Sequence, residues 1–410
     1  MQDKELFAHL LGLTEPWKVT DMRVDYNTPQ VDIWVSYPQR EKASCPECGK
    51  PCPVYDHREE RRWRHLDTMQ FQTIIHSKIP RIECPAHGIK TIAVPWAGER
   101  SRFTILFERL AIDLLLGCQN QTKAGAILKL SWDEIHEIQE RAVARGFSRR
   151  QDEPLPYLGI DEKSFLKGHN YLTVFTDIEH SRVLEVGKDR DEIAVTGMLD
   201  TLTEKQKTSI KAAAIDMWES YVNAVEKTLP ACDIVHDKFH IAKHLGEAVD
   251  KVRKTENRIL LKEGDDALKG TKYLWLTNPS NWRQTQKETF RALKNEKLKT
   301  GRAWSIKDMF SSFWGYTYRK SALIFFKKWY FWATHSRLRP IIDVAKMLNR
   351  HLNNILTYLK HRITNAVSEG INSKIQQIKS VARGFRNFDN FRVAILFYCG
   401  KLDMYPQKSR

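Results

Sequence analysis

The sequence lacks any run of about eighteen uncharged apolar residues, which excludes a helix able to span a bilayer. Its start, "MQDKELFAHLLGL", lacks the basic-then-apolar order of a signal peptide. A cytoplasmic location without a membrane partner is therefore expected. Cysteine is scarce, seven in 410 residues, and three of the seven are packed between positions 45 and 52. An odd, clustered set argues against a disulfide framework and for a metal site in a reduced compartment. Acidic residues are in deficit, 50 Asp+Glu against 66 Lys+Arg, with a pI near 9.4. Such a balance favours a polyanionic partner, and nucleic acid is the commonest for a soluble chain. What the chain does have is 42% hydrophobic residues, enough for globular folding, and length for two to four domains.

"CPECG" at 45–49 and "CPAHG" at 84–88 repeat one pattern, Cys-Pro-x-[Cys/His]-Gly. In each copy proline stiffens a turn, glycine allows a tight exit, and two soft ligands point the same way. Two such knuckles make one tetrahedral Zn²⁺ site, with Cys45, Cys48, Cys84 and His87 as the expected ligands and Cys52 and His57 as substitutes. Between them "FQTIIHSKIPRIEC" (71–84) is β-like, as expected of a small zinc-stapled ribbon whose core is too small to fold unaided.

After "PWAGERSRFT" the pattern turns helical, with Phe107, Leu110, Ala111, Leu114 and Leu115 at three- and four-residue spacing. In "TKAGAILKLSWDEIHEIQERAVARG" (122–146) one short helix ends near Leu130. Ser131 can N-cap the next, Glu134 stands at the capping-box position, and Ile135 and Ile138 face inward. That is a helix-turn-helix outline with the helix from Trp132 as the recognition candidate, although two amphipathic helices packing on each other fit the same pattern.

From residue 154 the reading is α/β. "LPYLGID" is a strand, "NYLTVFTDI" and "RVLEVGKD" form a hairpin across "EHS", a helix follows to about 205, and "IKAAAIDMW" (210–218) is a second buried strand. Strand, hairpin, helix, strand is the opening order of an RNase H-like fold, in which the first and fourth strands lie side by side. Asp161 and Asp216 would then meet at neighbouring strand ends, where two carboxylates repel unless a cation lies between them. Mg²⁺ suits oxygen ligands, and a pair of such ions clamps the attacking and leaving oxygens of a phosphodiester.

Residues 243–350 hold 24 Lys+Arg against 10 Asp+Glu, and six of the twelve tryptophans. An α-helical insertion is expected there, its basic face tracking phosphates and its aromatics mostly forming a core. In "HRITNAVSEGINSKIQQIKSVARGFRNFDNFRVAIL" (361–396), Ile363, Val367, Ile371, Ile375 and Ile378 make an apolar stripe. Glu369, Asn372, Ser373 and Gln376 lie on the other side. Periodicity fits a wet surface and a metal-facing glutamate equally.

The order of zinc module, helix-turn-helix, "GIDEKSF", "AIDMWESYVNAV", "IVHDKFHIAKHL" and "TNAVSEGINSKIQQIKSVARGFRNFDNF" resembles the ISL-three family of bacterial insertion-sequence transposases over nearly the whole chain. The resemblance implies an RNase H-like domain with a DDE triad, carried here by Asp161, Asp216 and Glu369, which would hold Mg²⁺ or Mn²⁺. It implies hydrolysis at the ends of a mobile element and attack of the freed 3′ hydroxyl on target DNA, in a bacterial, nucleoid-associated setting. Asp237 and His240 match a family signature beside the site, read as supporting the fold or gripping DNA rather than binding metal. The family's usual fourth zinc ligand is a cysteine, and His87 stands in its place. Lys163, Lys374, Arg383 and Arg386 are the expected phosphate contacts. Partners would be DNA, as terminal inverted repeats and as target, and further copies of the chain in a dimer or larger synaptic assembly.

The implied organisation runs in five parts. Residues 1–97 carry the zinc module and 98–150 the helix-turn-helix. The catalytic domain begins at 151–245, is interrupted by a basic α-helical insertion at 246–350, and resumes at 351–410 with the catalytic glutamate. Two alternatives keep some of these parts: a DNA-binding regulator that no longer catalyses, and a structure-selective nuclease of RNase H type. Strand transfer separates the first reading from the nuclease.

Overall fold

A computed structural model describes residues 3–166, 170–294, 298–363 and 366–407. The chain forms two compact units. One holds the chain to residue 150 together with 378–384 and the segment from 389 onward; the other holds 151–377 and 385–388. The expected division assigned 351–410 to one domain, whereas by packing its last part groups with the N-terminal unit.

The first unit opens with helix α1 (Asp3–Leu10) and a six-stranded sheet. Its strands are β1 (Lys18–Asp25), β2 (Gln30–Ser36), β3 (Lys42–Ser44), β4 (Pro51–Thr68), β5 (Phe71–Cys84) and β6 (Gly88–Thr91). Their order is β1-β2-β5-β4-β3, with β6 on β5; β2 runs parallel to β5 and the other pairs are antiparallel. Strand β2 alternates strictly, burying Val31, Ile33 and Val35 and turning Asp32, Trp34 and Ser36 outward, the period-two signature of a sheet with one covered face. Ile33, Trp63, Ile75 and Ile82 are fully buried in a core closed by Trp17 and Trp96. The expected ribbon is part of a larger sheet. Strands β1 and β2 and the flanking tryptophans add an apolar core to the two knuckles.

Helices α2 (Ile105–Cys118), α3 (Gln121–Leu128) and α4 (Trp132–Arg149) follow. Ser131 and Glu134 form the reciprocal capping box that starts α4, and Ile135 and Ile138 are fully buried. The buried Glu108 carboxylate accepts hydrogen bonds from Ser101 Oγ, Arg141 and Arg145. The chain's last segment straps this bundle. Arg145 donates to the Met404 carbonyl and Arg149 to that of Tyr405, while Leu402 packs at Gly146.

The second unit is built on a five-stranded sheet of β7 (Tyr157–Leu166), β8 (Asn170–Asp177), β9 (Arg182–Lys188), β10 (Ala212–Ile215) and β11 (Asp233–His236). The order is β11-β10-β7-β8-β9. Strands β7, β8 and β9 form an antiparallel meander, and β10 and β11 run parallel to β7. Parallel strands need crossovers, supplied by α5 (Glu192–Asp200) and α6 (Glu204–Ser209) before β10 and by α7 (Glu219–Thr228) before β11. "AAAI" of β10 is buried at all four positions, as a central strand covered on both faces must be.

Among the described residues, 238–361 contains helices and no strand: α8 (Lys238–Lys262), α9 (Lys272–Leu276), α10 (Gln284–Lys294), α11 (Lys299–Ser311), α12 (Arg319–Thr334), α13 (Arg339–Arg350), α14 (Leu352–Leu356) and α15 (Tyr358–His361). Their shared core is aromatic, with Trp275, Phe313 and Trp329 fully buried. The chain closes with α16 (Ala366–Val381) and α17 (Phe388–Cys399).

Candidate active site and metal centre

In the N-terminal unit the two knuckles face each other because β4 and β5 pair antiparallel and β6 returns from Cys84. Gly49 and Gly88 both adopt left-handed φ, +71° and +68°, which a side chain would strain. Cys48 Sγ lies 3.8 Å from Cys84 Sγ, and His87 Nδ1 lies 3.5 Å from Cys84 Sγ and 3.8 Å from Cys45 Sγ. Zinc at tetrahedral angles, bound at the usual sulfur and nitrogen distances, separates sulfur pairs by about 3.8 Å and sulfur–nitrogen pairs by about 3.6 Å. The donor set fits the ion, with His87 presenting Nδ1. Cys84 shows how the knuckle favours a thiolate. The Ala86 amide above all, and then that of His87, outweigh burial and hold its thiol down at about 7. Cys52 is buried beside these sulfurs, with its thiol directed to the Lys50 carbonyl, and His57 Nε2 meets the Tyr37 carbonyl. Neither substitute belongs to the four-atom cluster.

The expected recognition helix, α4, presents an acidic side. Asp133 and Glu140 are exposed, and Glu137 is shared between Arg102 and Arg141.

In the second unit the parallel register sets the chemistry. Ile160 of β7 pairs with Ile215 of β10, so Asp161 and Asp216 are the residues immediately after one paired position on adjacent strands. Strand β10 ends there, while β7 continues as a hairpin with β8, so Asp161 is held within a strand and Asp216 stands at a strand end. Asp161 is 7% exposed. Its Oδ1 accepts the Glu162 amide at 2.8 Å and its Oδ2 accepts Asn372 Nδ2 at 2.6 Å. Burial pushes its carboxyl above the usual carboxylate range, and Asp216 adds to that, against the field of His240 and the two hydrogen bonds. Asp216 Oδ1 accepts the Met217 amide at 2.6 Å, and its Oδ2 lies 3.2 Å from His240 Nδ1.

Glu369 is exposed in the first turn of α16, three residues before Asn372 and so on the same edge of that helix. Two contacts tie this turn to β7. One is the Asn372–Asp161 bond; the other is Ser368 against Gly159, where an added Cβ would come within 2.9 Å of Ser368 Oγ. Lys163 is half-buried two residues beyond Asp161 on the same strand face, and Lys374 is exposed on α16. Arg383 and Arg386 are exposed between α16 and α17.

Three side chains at this edge had no assigned role in the sequence. Asn372 bonds Asp161, a contact 211 residues apart that periodicity cannot signal. Arg190 pairs with Glu162 at 2.7 Å and lies over the rings of Tyr171 and Trp218. Trp218, two residues past Asp216, carried a weak signal in "AIDMWES", a tryptophan where a buried strand has already ended.

Comparison with known proteins agrees in order and extent. A family model described as a transposase matches residues 158–395. A model for the zinc-finger of transposase IS204/IS1001/IS1096/IS1165 matches 41–87, and one for the helix-turn-helix domain of transposase family ISL3 matches 92–143. The chain is 28% identical to the transposase for insertion sequence element IS1001 of Bordetella parapertussis, over 86% of this chain and 87% of that one. It is 24% identical to the transposase for insertion sequence element IS1557 of Mycobacterium tuberculosis H37Rv, over 94% and 93% respectively.

Proposed function

This chain belongs to the ISL3 family of transposases, and from that premise we propose that it cuts and joins DNA at the ends of an insertion sequence with Asp161, Asp216 and Glu369 as its catalytic carboxylates. The carrying observation is the juxtaposition of Asp161 and Asp216 after the paired Ile160 and Ile215, with the helix of Glu369 fastened to Asp161 through Asn372. The strand order, a three-stranded meander followed by two parallel strands, supports an RNase H-like fold, and 246–350 is read as its helical insertion.

An all-oxygen donor set with one carboxylate buried suits Mg²⁺ or Mn²⁺. When bound, such an ion supplies charge stabilisation for in-line displacement at a phosphodiester. Asp161 and Asp216 would hold it and Glu369 would complete the shell. Asn372 aims Asp161, and His240 does the same for Asp216. In the N-terminal unit Cys45, Cys48, Cys84 and His87 would hold structural Zn²⁺. That unit recognises the terminal inverted repeats, while Lys163, Lys374, Arg383 and Arg386 contact phosphates. Two ends must be cut and joined together, so the working form is a dimer or larger assembly.

The test is nick mapping on terminal-repeat DNA with Mg²⁺. Asp161→Asn, Asp216→Asn and Glu369→Gln should each lower cleavage by several orders of magnitude while leaving fold and end binding intact. Near-normal cleavage by folded Asp161→Asn protein would remove that residue from the site. A chain that binds ends but never nicks them is the regulator instead.

A further inference from the structure

The carboxyl edge of the second sheet carries aromatic side chains that neither packing nor metal binding uses. Ile215 pairs with His236 across β10 and β11, so the two adjacent parallel strands end at the same level. Asp216 and Asp237 follow directly; beyond them Trp218 precedes α7 and Phe239 lies in the first turn of α8. In a parallel sheet this edge, outside the strands' carboxyl ends, is where ligands bind. Trp218 is 43% exposed and Phe239 51% exposed. Single exposed apolar residues are ordinary, but these two follow the carboxyl ends of adjacent parallel strands, Trp218 two residues past Asp216 and Phe239 with its ring 5.8 Å from that of His240, which contacts Asp216.

Trp218 is also fixed in place. The Arg190 guanidinium lies 4.5 Å from its ring and 4.0 Å from that of Tyr171, and is tied to Glu162 at 2.7 Å. Glu162 follows Asp161 directly, so one chain of contacts runs from the first catalytic aspartate to the indole. An aromatic side chain that is held but not covered has already lost its rotamer freedom, so a flat partner can stack on it at little entropic cost. The Trp218 backbone begins α7 without a side-chain cap, and Lys238 is exposed at the start of α8, which favours an anionic chain passing over this edge.

We infer that Trp218 and Phe239 form a stacking platform for unpaired bases of the DNA strand whose phosphate lies at Asp161 and Asp216. This rests on the transposase reading above and deepens it, because the enzyme would then act on an end that is locally opened rather than on an intact duplex. Unpairing costs free energy, and stacking on fixed aromatics returns part of it.

Two arms test it on the full-length protein. In the first, terminal-repeat duplexes carry 5-iodouracil in turn at each position around the cut, are bound by Asp161→Asn protein and irradiated, and the cross-linked peptides are mapped. Cross-links at Trp218 or Phe239 from positions flanking the cut are expected; cross-links confined to other residues, or none, overturn the platform. In the second, Trp218→Ala should slow cutting of the paired end by about tenfold to a hundredfold. A duplex mismatched at the cut should recover most of that loss, and Trp218→Phe should retain most activity. Equal losses on paired and mismatched ends mean a structural role and overturn the proposal. Failure of the catalytic reading looks different: Asp161→Asn would still cut, while the cross-link pattern would remain readable.

Discussion

At the scale of single residues, the carboxylate proposed as catalytic at Asp161 is held by a neutral group. Asn372 offers Asp161 an amide donor at 2.6 Å, which orients one oxygen without adding a charge that would compete with a cation. Asn372→Ala should lower cleavage by about tenfold to a hundredfold, and raise the Mg²⁺ concentration needed for half-maximal rate, a shift that a purely structural residue would not produce. Titrating rate against Mg²⁺ for both proteins checks this. A second residue effect belongs to the N-terminal unit. His65 is buried against Thr104 Oγ1 at 2.9 Å, and burial, then Arg64, pushes its imidazole down to about 4. The unfolded chain takes up that proton near pH 6.5 and the folded one resists it until about pH 4. The associated stability is therefore complete above pH 6.5 and lost as pH falls toward 4, with about 2 kcal/mol gone by pH 5. Thermal melts at pH 7 and pH 5 should show the loss, and His65→Gln should reduce it.

At the scale of elements, the knuckles and α16 show how small turns set large geometry. The first sheet has its own tryptophan-closed core, so zinc should fasten the knuckle end rather than the whole unit. One zinc per chain should co-purify, and Cys84→Ser should speed hydrogen exchange in 42–53 and 84–91 while leaving the strand around Trp63 protected. Exchange rising throughout the sheet would assign zinc the larger role. Gly159→Ala should crowd Ser368 and disturb its packing on β7, since its Cβ would meet Ser368 Oγ at 2.9 Å. Cleavage should fall more than melting temperature. These elements also mark what was legible in the sequence. The knuckle pairing, the capping box at Ser131 and the strand 71–84 follow from local chemistry, and the structure has β5 at Phe71–Cys84. Strand β2 has a clear alternation in "VDIWVS", yet nothing local says that it runs parallel to β5. The Asn372–Asp161 bond and the strap of 402–406 on α4 join distant segments, and a pattern read along one helix cannot see them.

At the scale of the whole molecule, charge is distributed unevenly. The chain carries a net +16, and 243–350 alone holds 24 Lys+Arg against 10 Asp+Glu, while the exposed side of α4 is acidic. On the reading proposed above, sequence-independent attraction would come from 243–350 and end selection from the N-terminal unit. Phosphate contacts release counterions and weaken steeply with salt, whereas contacts to base edges are far less sensitive. Lys327 and Lys328 make a direct probe, because both are exposed on α12 while its neighbouring Phe326 and Trp329 are buried, so their reversal leaves the aromatic core untouched. The double change Lys327→Glu, Lys328→Glu should weaken binding to random duplex by roughly tenfold at low salt, and flatten the plot of log affinity against log salt. Its preference for terminal-repeat DNA over random DNA should stay the same or rise, since the nonspecific part is what has been removed. Binding isotherms over a salt series for both duplexes decide the matter. If the reversal instead reduces selectivity for the ends and leaves the salt slope unchanged, the helical region reads sequence, and α4 is no longer required to do so.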